Sequence, residues 1–307
     1  MPDDRKASLL SLERVCKVYR TGTFGAGELC AVSDVTFSIA PNEVVALVGE
    51  SGSGKTTIGR MILRLEAVTS GSIRFDHTAV SALRRSELKD YYRSVQGVFQ
   101  DPFSSFNPIF KADRVFKILR QEYFAESADA PWQARVDDAL EAVGLNPADV
   151  LHKYPHQLSG GQLQRLLIAR ALMMDIRLLV ADEIISMLDA STRIDVLNLL
   201  GGLKERGLGI LFITHDLSLG SYIADTSIIL RRGRIVEMGP TDDVFGDPRH
   251  PYTKALLAAV PRLHGGEELP PPGAGDGARA GEVDAVAPNS PTLEEVTPGH
   301  FVAEHAP

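Results

Sequence analysis

A short glycine-rich loop constrains the fold of this chain more than any other feature. It reads Gly49-Glu50-Ser51-Gly52-Ser53-Gly54-Lys55-Thr56 and fits the pattern G-x-x-x-x-G-K-[ST]. The apolar run Val44–Val48 precedes it, and a helical pattern over 57–65 follows. Glycines allow a backbone to wrap a phosphate, and the N–H groups of the loop and of the helix N-terminus then face the anion. The loop therefore predicts a nucleotide site between a strand and a helix; the alternative is a glycine-rich turn that only closes a βα unit.

The residue types of the loop also predict individual contacts. Lys55 would reach the β- and γ-phosphates, and Thr56 would place its hydroxyl on Mg²⁺. We expect the nucleotide to contact Gly49, Glu50, Ser51, Gly52, Ser53, Gly54, Lys55, Thr56 and Thr57.

Two acidic residues follow another apolar run, at 178–181. Ligands of open α/β sheets bind at the carboxyl ends of the strands, so Asp182 and Glu183 should face the phosphates. We expect Asp182 to be a Mg²⁺ partner and Glu183 to polarise the attacking water as general base. The alternative is a pair of acids in a solvated loop.

Two further strand ends carry polar side chains. His215 follows the apolar run 210–214, a strand that we expect beside the phosphate loop, where His215 would contact the γ-phosphate and orient Glu183. Gln100 stands at the end of the short run 95–99, and its amide would join the shell of Mg²⁺ and water. The alternatives are a structural histidine and an ordinary exposed glutamine.

A pentapeptide further along, Leu158-Ser159-Gly160-Gly161-Gln162, has two interpretations. Ser159 and Gln162 have the S-x-x-Q spacing of a capping box, which predicts a capped helix. That helix would have an apolar face, with three polar residues away from it: Gln164, Arg165 and Arg170. The second interpretation is an anion site, because the two glycines leave the helix N-terminus accessible and anions are favoured there.

The remaining chain divides by pattern. Short, partly alternating apolar runs in the first forty residues predict antiparallel hairpins. Residues 101–157 are helical in pattern, with a turn at 144–147. The glycine- and proline-rich composition from 265 onward predicts a disordered tail over 263–307, after a single domain over 1–262.

Composition excludes several classes of protein. The net charge of −8 argues against general nucleic-acid binding, which needs a basic surface. Two cysteines, Cys16 and Cys30, are too few for a disulfide framework or a cysteine-ligated cluster, and they fit a reducing compartment. No apolar segment approaches the ~20 residues that span a bilayer, and the N-terminal residues predict no signal peptide. Any membrane role would therefore come through a partner protein.

Together these motifs resemble those of the ATP-binding subunit of an ABC transporter, in order and context from about residue 10 to 262. The phosphate loop looks like Walker A, 178–183 like Walker B with its catalytic glutamate, and 158–162 like the ABC signature. The resemblance implies an α/β P-loop NTPase (RecA-like) core, an N-terminal antiparallel β subdomain and an α-helical subdomain at about 101–165. It implies ATP and Mg²⁺ as ligands and ATP hydrolysis as the reaction.

The same resemblance implies roles for single residues. Gln100 would be the Q-loop glutamine and His215 the switch histidine. Asp189 would be the D-loop aspartate beside the nucleotide. Tyr19 would stack on the adenine, with Phe24 as its rival.

A narrower resemblance is to importers of oligopeptides, dipeptides and nickel. It rests on 98–108, on His250-Pro251-Tyr252-Thr253 and the residues up to 257, and on Val260-Pro261. We expect a subfamily motif at about 239–262; the alternative is a proline turn with Thr253 capping a short helix. Ile184, Ile185 and Met187 depart from the family pattern beside Glu183 and remove no catalytic side chain.

The resemblance also implies partners. Ser159, Gly160 and Gly161 would bind the γ-phosphate held by the opposite subunit of a head-to-tail pair. The partners would be a second ABC ATPase subunit, identical or different, two membrane permease subunits and, indirectly, an extracellular solute-binding protein; no nucleic acid is expected. The chain would act on the cytoplasmic face of the cell membrane, in an importer of peptides or similar small solutes. The alternative is an ATPase of a soluble assembly, such as an accessory of carbon–phosphorus bond cleavage.

Overall fold

The structure, a computed structural model, describes residues 8–21, 27–259 and 292–304. The strands are β1 (Leu10–Thr21), β2 (Gly27–Ile39), β3 (Val44–Val48), β4 (Ser70–Phe75), β5 (Thr78–Ala79), β6 (Val95–Val98), β7 (Leu178–Asp182), β8 (Gly209–Thr214), β9 (Thr226–Arg231), β10 (Arg234–Pro240), β11 (Leu293–Thr297) and β12 (His300–Ala303). The α-helices are α1 (Lys55–Ile62), α2 (Leu88–Ser94), α3 (Arg114–Tyr123), α4 (Asp129–Ala142), α5 (Pro147–Val150), α6 (Gly160–Leu172), α7 (Ala190–Glu205), α8 (Leu217–Ile223), α9 (Thr241–Gly246) and α10 (Pro251–Ala258). Each helix in the described ranges is too short or too polar to cross a membrane.

The larger sheet has the strand order β11-β12-β10-β9-β3-β8-β7-β6. Its middle strands are parallel, because β3 pairs in parallel with β9 and β8, and β7 with β8 and β6. Every residue of β3, β7 and β8 is buried, which explains their continuous apolar sequences. This arrangement confirms the predicted α/β core and brings the carboxyl ends of these strands to one edge.

The smaller sheet has the order β2-β1-β4-β5 and is antiparallel throughout. In β2, Val35, Phe37 and Ile39 are buried while the residues between them are exposed, which is the alternation of a strand with one face on the core. The buried face packs in one cluster with Ile58 and Met61 of α1. The antiparallel hairpin predicted near the N-terminus is therefore confirmed.

The chain between β6 and β7 is helical, as predicted for 101–157. Trp132 and Leu140 of α4 share a buried cluster with Leu166 of α6. The predicted turn is present: Gly144 has a φ of 65°, and the Asn146 side chain caps α5. This helical region supports α6, which begins inside the predicted signature.

Gln164 of α6 is buried and Arg170 is partly buried, although the prediction placed both away from the apolar face of the helix. Gln164 has no exposed surface. The Arg170 guanidinium donates to Gln96 Oε1 at 3.3 Å and to the Gly97 carbonyl at 3.1 Å. Burial lowers the pKa of Arg170. Arg170 is covered because α6 lies against β6, a tertiary contact that helical periodicity does not report.

The tail prediction needs a correction. β11 and β12 form a hairpin, and β12 pairs antiparallel with β10 through Glu237↔Val302 and Met238↔Phe301. Pairing satisfies N–H and C=O groups that β10 would otherwise present at an open edge. Residues 292–304 are therefore part of the sheet. The structure does not describe residues 260–291 and 305–307, so the predictions for Val260, Pro261 and the rest of these ranges lie outside the described residues. The prediction for Phe24 does so as well.

Candidate active site

Four neighbouring strand ends carry the predicted residues. The phosphate loop follows β3, His215 follows β8, Asp182 ends β7, and Gln100 lies two residues beyond β6. The pairing of Val48 with Thr214 confirms that the strand before His215 lies beside the strand before the loop. The core therefore collects these groups at one edge of the sheet, where ligands of such folds bind.

Glycines allow the phosphate loop to make close backbone approaches. Gly54 has a φ of 105°, in the region that side chains rarely adopt. A Cβ atom at Gly49 would lie 2.2 Å from the Leu230 carbonyl oxygen, so the loop begins tightly against the end of β9. The Ser53 N–H donates to the Glu50 carbonyl at 3.2 Å. The fold of the loop thus explains why glycine is needed at its first and sixth positions.

Lys55 lies inside the loop. Its Nζ donates to the carbonyl oxygens of Gly49 at 2.7 Å and Glu50 at 2.8 Å. Burial lowers the pKa of Lys55, while Glu183, Asp182 and Glu50 raise it. The acids at the end of β7 are thus close enough to stabilise its charge.

Two hard oxygen donors meet between α1 and β7. The Thr56 hydroxyl donates to Asp182 Oδ1 at 3.3 Å. Burial raises the pKa of Asp182, while the Thr56 hydrogen bond lowers it, Glu183 raises it and Lys55 lowers it. A hydroxyl and a carboxylate in contact are the ligand types that Mg²⁺ accepts beside phosphate oxygens.

Glu183 and His215 are in contact. Glu183 Oε2 lies 3.3 Å from His215 Nδ1, and the two side chains are 18% and 56% exposed. Glu183 has a φ of 50°, an uncommon conformation for a residue with a side chain. Its N–H donates to the Ile213 carbonyl at 2.9 Å, which attaches the strained residue to β8. The histidine can therefore orient the carboxylate as predicted, and its exposed ring remains accessible to a ligand.

Gln100 and Tyr19 lie away from these contacts. Gln100 is exposed, at the start of the loop that leads to the helical region. Tyr19 is half-buried on β1, with the Lys17 ammonium 4.7 Å from the centre of its ring. The predicted ligand roles of both residues stay predictions.

The signature pentapeptide starts α6 with the predicted capping box. Ser159 Oγ accepts from the Gln162 N–H at 3.1 Å, and Gln162 Oε1 accepts from the Ser159 N–H at 2.9 Å. A Cβ atom at Gly160 would lie 3.9 Å from Phe103, and one at Gly161 would lie 2.9 Å from Thr192 Cγ2. The signature is therefore packed between the loop after Gln100 and the first turn of α7. The capped-helix interpretation is confirmed, and the anion-binding interpretation is compatible with it.

Asp189 has a clear structural role. Its carboxylate caps α7, accepting from the Ser191 hydroxyl at 2.7 Å, the Thr192 N–H at 3.0 Å and the Thr192 hydroxyl at 2.9 Å. These hydrogen bonds hold the pKa of Asp189 well below its usual range. The cap accounts for an aspartate here, and its predicted nucleotide role stays a prediction.

One contact of the site was missed from the sequence. The hydroxyl of Tyr252, on α10, accepts from the Glu50 N–H of the phosphate loop at 3.4 Å. The helix is capped by His250 Nδ1, which accepts from the Tyr252 N–H at 3.0 Å, so the alternative of a Thr253 cap is wrong. No local pattern gives this contact, because it joins positions 202 residues apart.

Comparison with known families agrees with this geometry. Residues 32–186 match the family model described as ABC transporter. Residues 236–284 match the C-terminal region of oligopeptide/dipeptide transporters. Fold and site define an ATPase built as an ATP-binding cassette. The chain belongs to the ABC transporter family, and it binds and hydrolyses ATP.

Individual relatives are similar over most of their length. The oligopeptide transport ATP-binding protein OppF of Streptococcus mutans is 40% identical over 312 residues, covering 98% of this chain and 96% of the relative. OppF of Bacillus subtilis is 42% identical over 284 residues, covering 90% of each chain. The solved dimer of the ATP-binding cassette MJ0796 with ADP and Pi superposes with a TM-score of 0.68 at 28% identity, over 76% of this chain and 98% of that one.

Proposed function

We propose that this chain is the energising ATPase subunit of an importer for oligopeptides, dipeptides or similar small solutes. The observation that carries the proposal is the likeness to oligopeptide transport ATP-binding proteins along nearly the whole chain. The C-terminal region supports it separately, because it matches the region typical of those transporters. We place the ATPase unit at 1–262 together with the hairpin of 292–304, which extends its larger sheet, and the helical subdomain at about 101–165.

The site residues suit a magnesium nucleotide. Thr56 and Asp182 would hold the ion, with the Gln100 amide joining them. The Thr56 hydroxyl and the Asp182 carboxylate are already in hydrogen-bond contact. Gln100 follows β6, which pairs with β7, the strand that ends at Asp182. When bound there, Mg²⁺ would supply positive charge that offsets the charge developing on the phosphate oxygens. Lys55 and N–H groups of residues 49–57 would bind the phosphates themselves, apart from the Glu50 N–H, which donates to Tyr252.

Glu183 would act on the water that attacks the γ-phosphorus. Its carboxylate would accept a proton from that water as the bond to phosphorus forms and the β–γ bond breaks. His215 would orient the carboxylate from 3.3 Å and present its exposed ring to the γ-phosphate. Tyr19 would stack on the adenine.

A second ATPase subunit would complete the site. Ser159, Gly160, Gly161 and Gln162 would contact the γ-phosphate held by the opposite subunit, with Asp189 beside it. The capping box supports this role, because it holds the helix N-terminus in place, and the two glycines place no side chain of their own over its N–H groups. ATP would thereby favour the closed pair.

The loop after Gln100 presents an apolar surface to a membrane partner. Phe103, Ile109 and Phe110 are exposed, and Phe103 also lies beside Gly160. This surface would contact two permease subunits at the cytoplasmic face of the membrane and transmit closure to them. An extracellular binding protein would deliver the solute to those permeases.

Reconstitution tests the function. The chain, co-expressed with two permeases and a solute-binding protein of a peptide importer from the same organism, should support ATP-dependent uptake of a labelled peptide into vesicles. Ile109→Asp should reduce co-purification with the permeases and uptake, while Leu65→Asp, at another exposed aliphatic residue, should not. Co-purification with soluble enzyme subunits in place of permeases would overturn the importer in favour of the soluble assembly.

A further inference from the structure

The phosphate loop is held from outside by a residue late in the chain. The Glu50 N–H donates to the Tyr252 hydroxyl at 3.4 Å. The Glu50 carbonyl accepts within the loop, from the Ser53 N–H at 3.2 Å and from Lys55 Nζ at 2.8 Å. The peptide group between Gly49 and Glu50 is therefore fixed at its carbonyl by Lys55, at 2.7 Å, and at its N–H by Tyr252 of α10.

The surroundings of Tyr252 fix its ring at the start of the loop. The ring is buried, and the Arg231 guanidinium lies 4.8 Å from its centre, a cation–π contact. Gly49 lies against Leu230 on the same strand end. Burial also raises the pKa of Tyr252, so the hydroxyl stays neutral at physiological pH. The end of β9, the loop and α10 thus meet at one point.

The two residues that lead into α10 are attached to a buried carboxylate. The Arg249 N–H donates to Glu237 Oε1 at 2.8 Å, and the His250 N–H donates to Glu237 Oε2 at 3.0 Å. His250 Nδ1 in turn accepts from the Tyr252 N–H. Glu237 therefore positions the turn that carries Tyr252.

The C-terminal hairpin supplies the third partner of that carboxylate. His300 Nε2 lies 2.8 Å from Glu237 Oε1, and the two side chains are 2% and 0% exposed. β12, which carries His300, pairs with β10 at Glu237. A fully buried carboxylate is costly unless hydrogen bonds satisfy it, so docking of the hairpin stabilises the whole connection.

We propose that Tyr252 is a positioning residue for the phosphate loop, and that the C-terminal hairpin holds it in place through Glu237. The hydroxyl orders the Glu50 peptide before nucleotide arrives, which lowers the entropy lost on binding. Glu183 and His215 are attached to other strands, so the chemical step does not depend on this contact. The proposal rests on the assignment of residues 49–56 to the phosphates of ATP.

Tyr252→Phe in the full-length chain tests the positioning role. It removes the hydroxyl and keeps the ring. The Kd of Mg-ATP by calorimetry and the KM should rise roughly 3- to 10-fold, the scale of one hydrogen bond, with kcat nearly unchanged. Tyr222→Phe is the matched control, because it removes an exposed hydroxyl that donates to Asn198 at 3.0 Å and should leave both constants unchanged. Wild-type ATP affinity in Tyr252→Phe, or an equal loss of kcat with unchanged KM, would overturn the proposal.

The hairpin's part is tested by His300→Ala and His300→Gln. The alanine should raise the Kd of ATP in the wild-type background and add little to Tyr252→Phe, as expected for residues acting in one chain of contacts. Glutamine can still donate to Glu237, so His300→Gln should bind ATP more tightly than His300→Ala and less tightly than the wild type. If the alanine variant does not fold, the comparison of His300→Gln with the wild type remains. The coupling would be overturned if His300→Ala raised the Kd of ATP equally in both backgrounds. It would also be overturned if His300→Gln bound ATP no better than His300→Ala.

Lys55→Ala separates failure of this proposal from failure of the site assignment. Loss of ATP binding in Lys55→Ala with normal binding in Tyr252→Phe would leave the phosphate loop assigned and reject the positioning role. Normal ATP binding in Lys55→Ala would reject the assigned site itself.

Discussion

At the residue scale, the candidate site places opposite charges where burial opposes both. Burial lowers the pKa of Lys55 and raises that of Asp182, and each group counteracts part of the shift of the other. Such a site is poorly optimised for stability and well prepared for an anion and a divalent cation, whose charges would compensate both residues. Residue substitutions should therefore separate stability from activity.

The base role of Glu183 predicts a specific loss. Glu183→Gln should bind ATP as the wild type does, because the amide keeps the size of the side chain. Its rate of phosphate release should fall by roughly 10²–10⁴-fold, the usual contribution of a general base. Glu205→Gln, at an exposed position on α7, is the control for charge. Unchanged hydrolysis in Glu183→Gln would remove the residue from this role.

We expect that replacing Asp182 stabilises the protein and abolishes its activity. Its pKa in the folded protein is above the ordinary 3.8, so ionisation opposes folding at neutral pH. Asp182→Asn should raise the Tm at pH 7 without nucleotide, and the gain should shrink as pH falls toward 3.8. Turnover should be lost. Thermal scans across pH, with exposed Asp195→Asn as control, check this; a lower Tm at pH 7 would contradict it.

At the scale of elements, two capped helices meet where the pair of subunits would join. α6 begins at Ser159 with a capping box, and α7 begins at Asp189 with a carboxylate cap. Gly161 and Thr192 are in close contact between them. Because both first turns are held by side chains, they form a rigid surface on which a nucleotide from another subunit can bind.

The proposed role of the signature predicts that Ser159→Arg impairs only the association of two subunits. The large cation would occupy the space above the two glycines, and ATP bound at the phosphate loop of the same chain would be unaffected. The substitution is made in the hydrolysis-deficient Glu183→Gln protein, and dimerisation is measured by size-exclusion chromatography. Ser159→Arg should abolish the ATP-dependent dimer. Ser86→Arg, exposed elsewhere, should dimerise normally. Dimerisation of Ser159→Arg would refute the role of the signature in the opposite site.

Elements with strong local signals were predictable from sequence. The buried strands β3, β7 and β8 are continuous apolar runs, and the phosphate loop and the capping box have fixed spacings. The hairpin of β11 and β12 was not predictable, because β11 is mostly exposed and carries Glu294 and Glu295. Burial of Gln164 and the contact of Tyr252 with Glu50 were missed for one reason: both depend on which distant element packs against them.

At the scale of the whole molecule, the large sheet has a catalytic half and an extended half. β3, β8, β7 and β6 carry the predicted chemistry, while β9, β10, β12 and β11 continue the sheet on the other side of β3. Glu237 is the buried point at which β10, the start of α10 and β12 are joined. Stability of the extended half should therefore depend on the hairpin.

A chain that ends at residue 291 tests that dependence. It removes His300 and leaves the buried Glu237 carboxylate without one hydrogen bond, which costs about 1–3 kcal/mol or more for a charged group. Urea unfolding should show a lower free energy of unfolding, and the uncovered edge of β10 should promote association at high concentration. A chain that ends at 304 is the control. Equal stability of the two chains would contradict the structural role of the hairpin.

The distance in sequence between Glu237 and His300 also has a consequence for biosynthesis. His300 is synthesised 63 positions after the carboxylate that it contacts. A nascent chain that has exposed β1 to β10 already has every strand that carries the predicted catalytic groups, and domains generally fold during synthesis from the N-terminal side. On the proposed role of Tyr252, the phosphate loop would form before its outside support is complete, and full affinity for nucleotide would be acquired only after the hairpin has been synthesised.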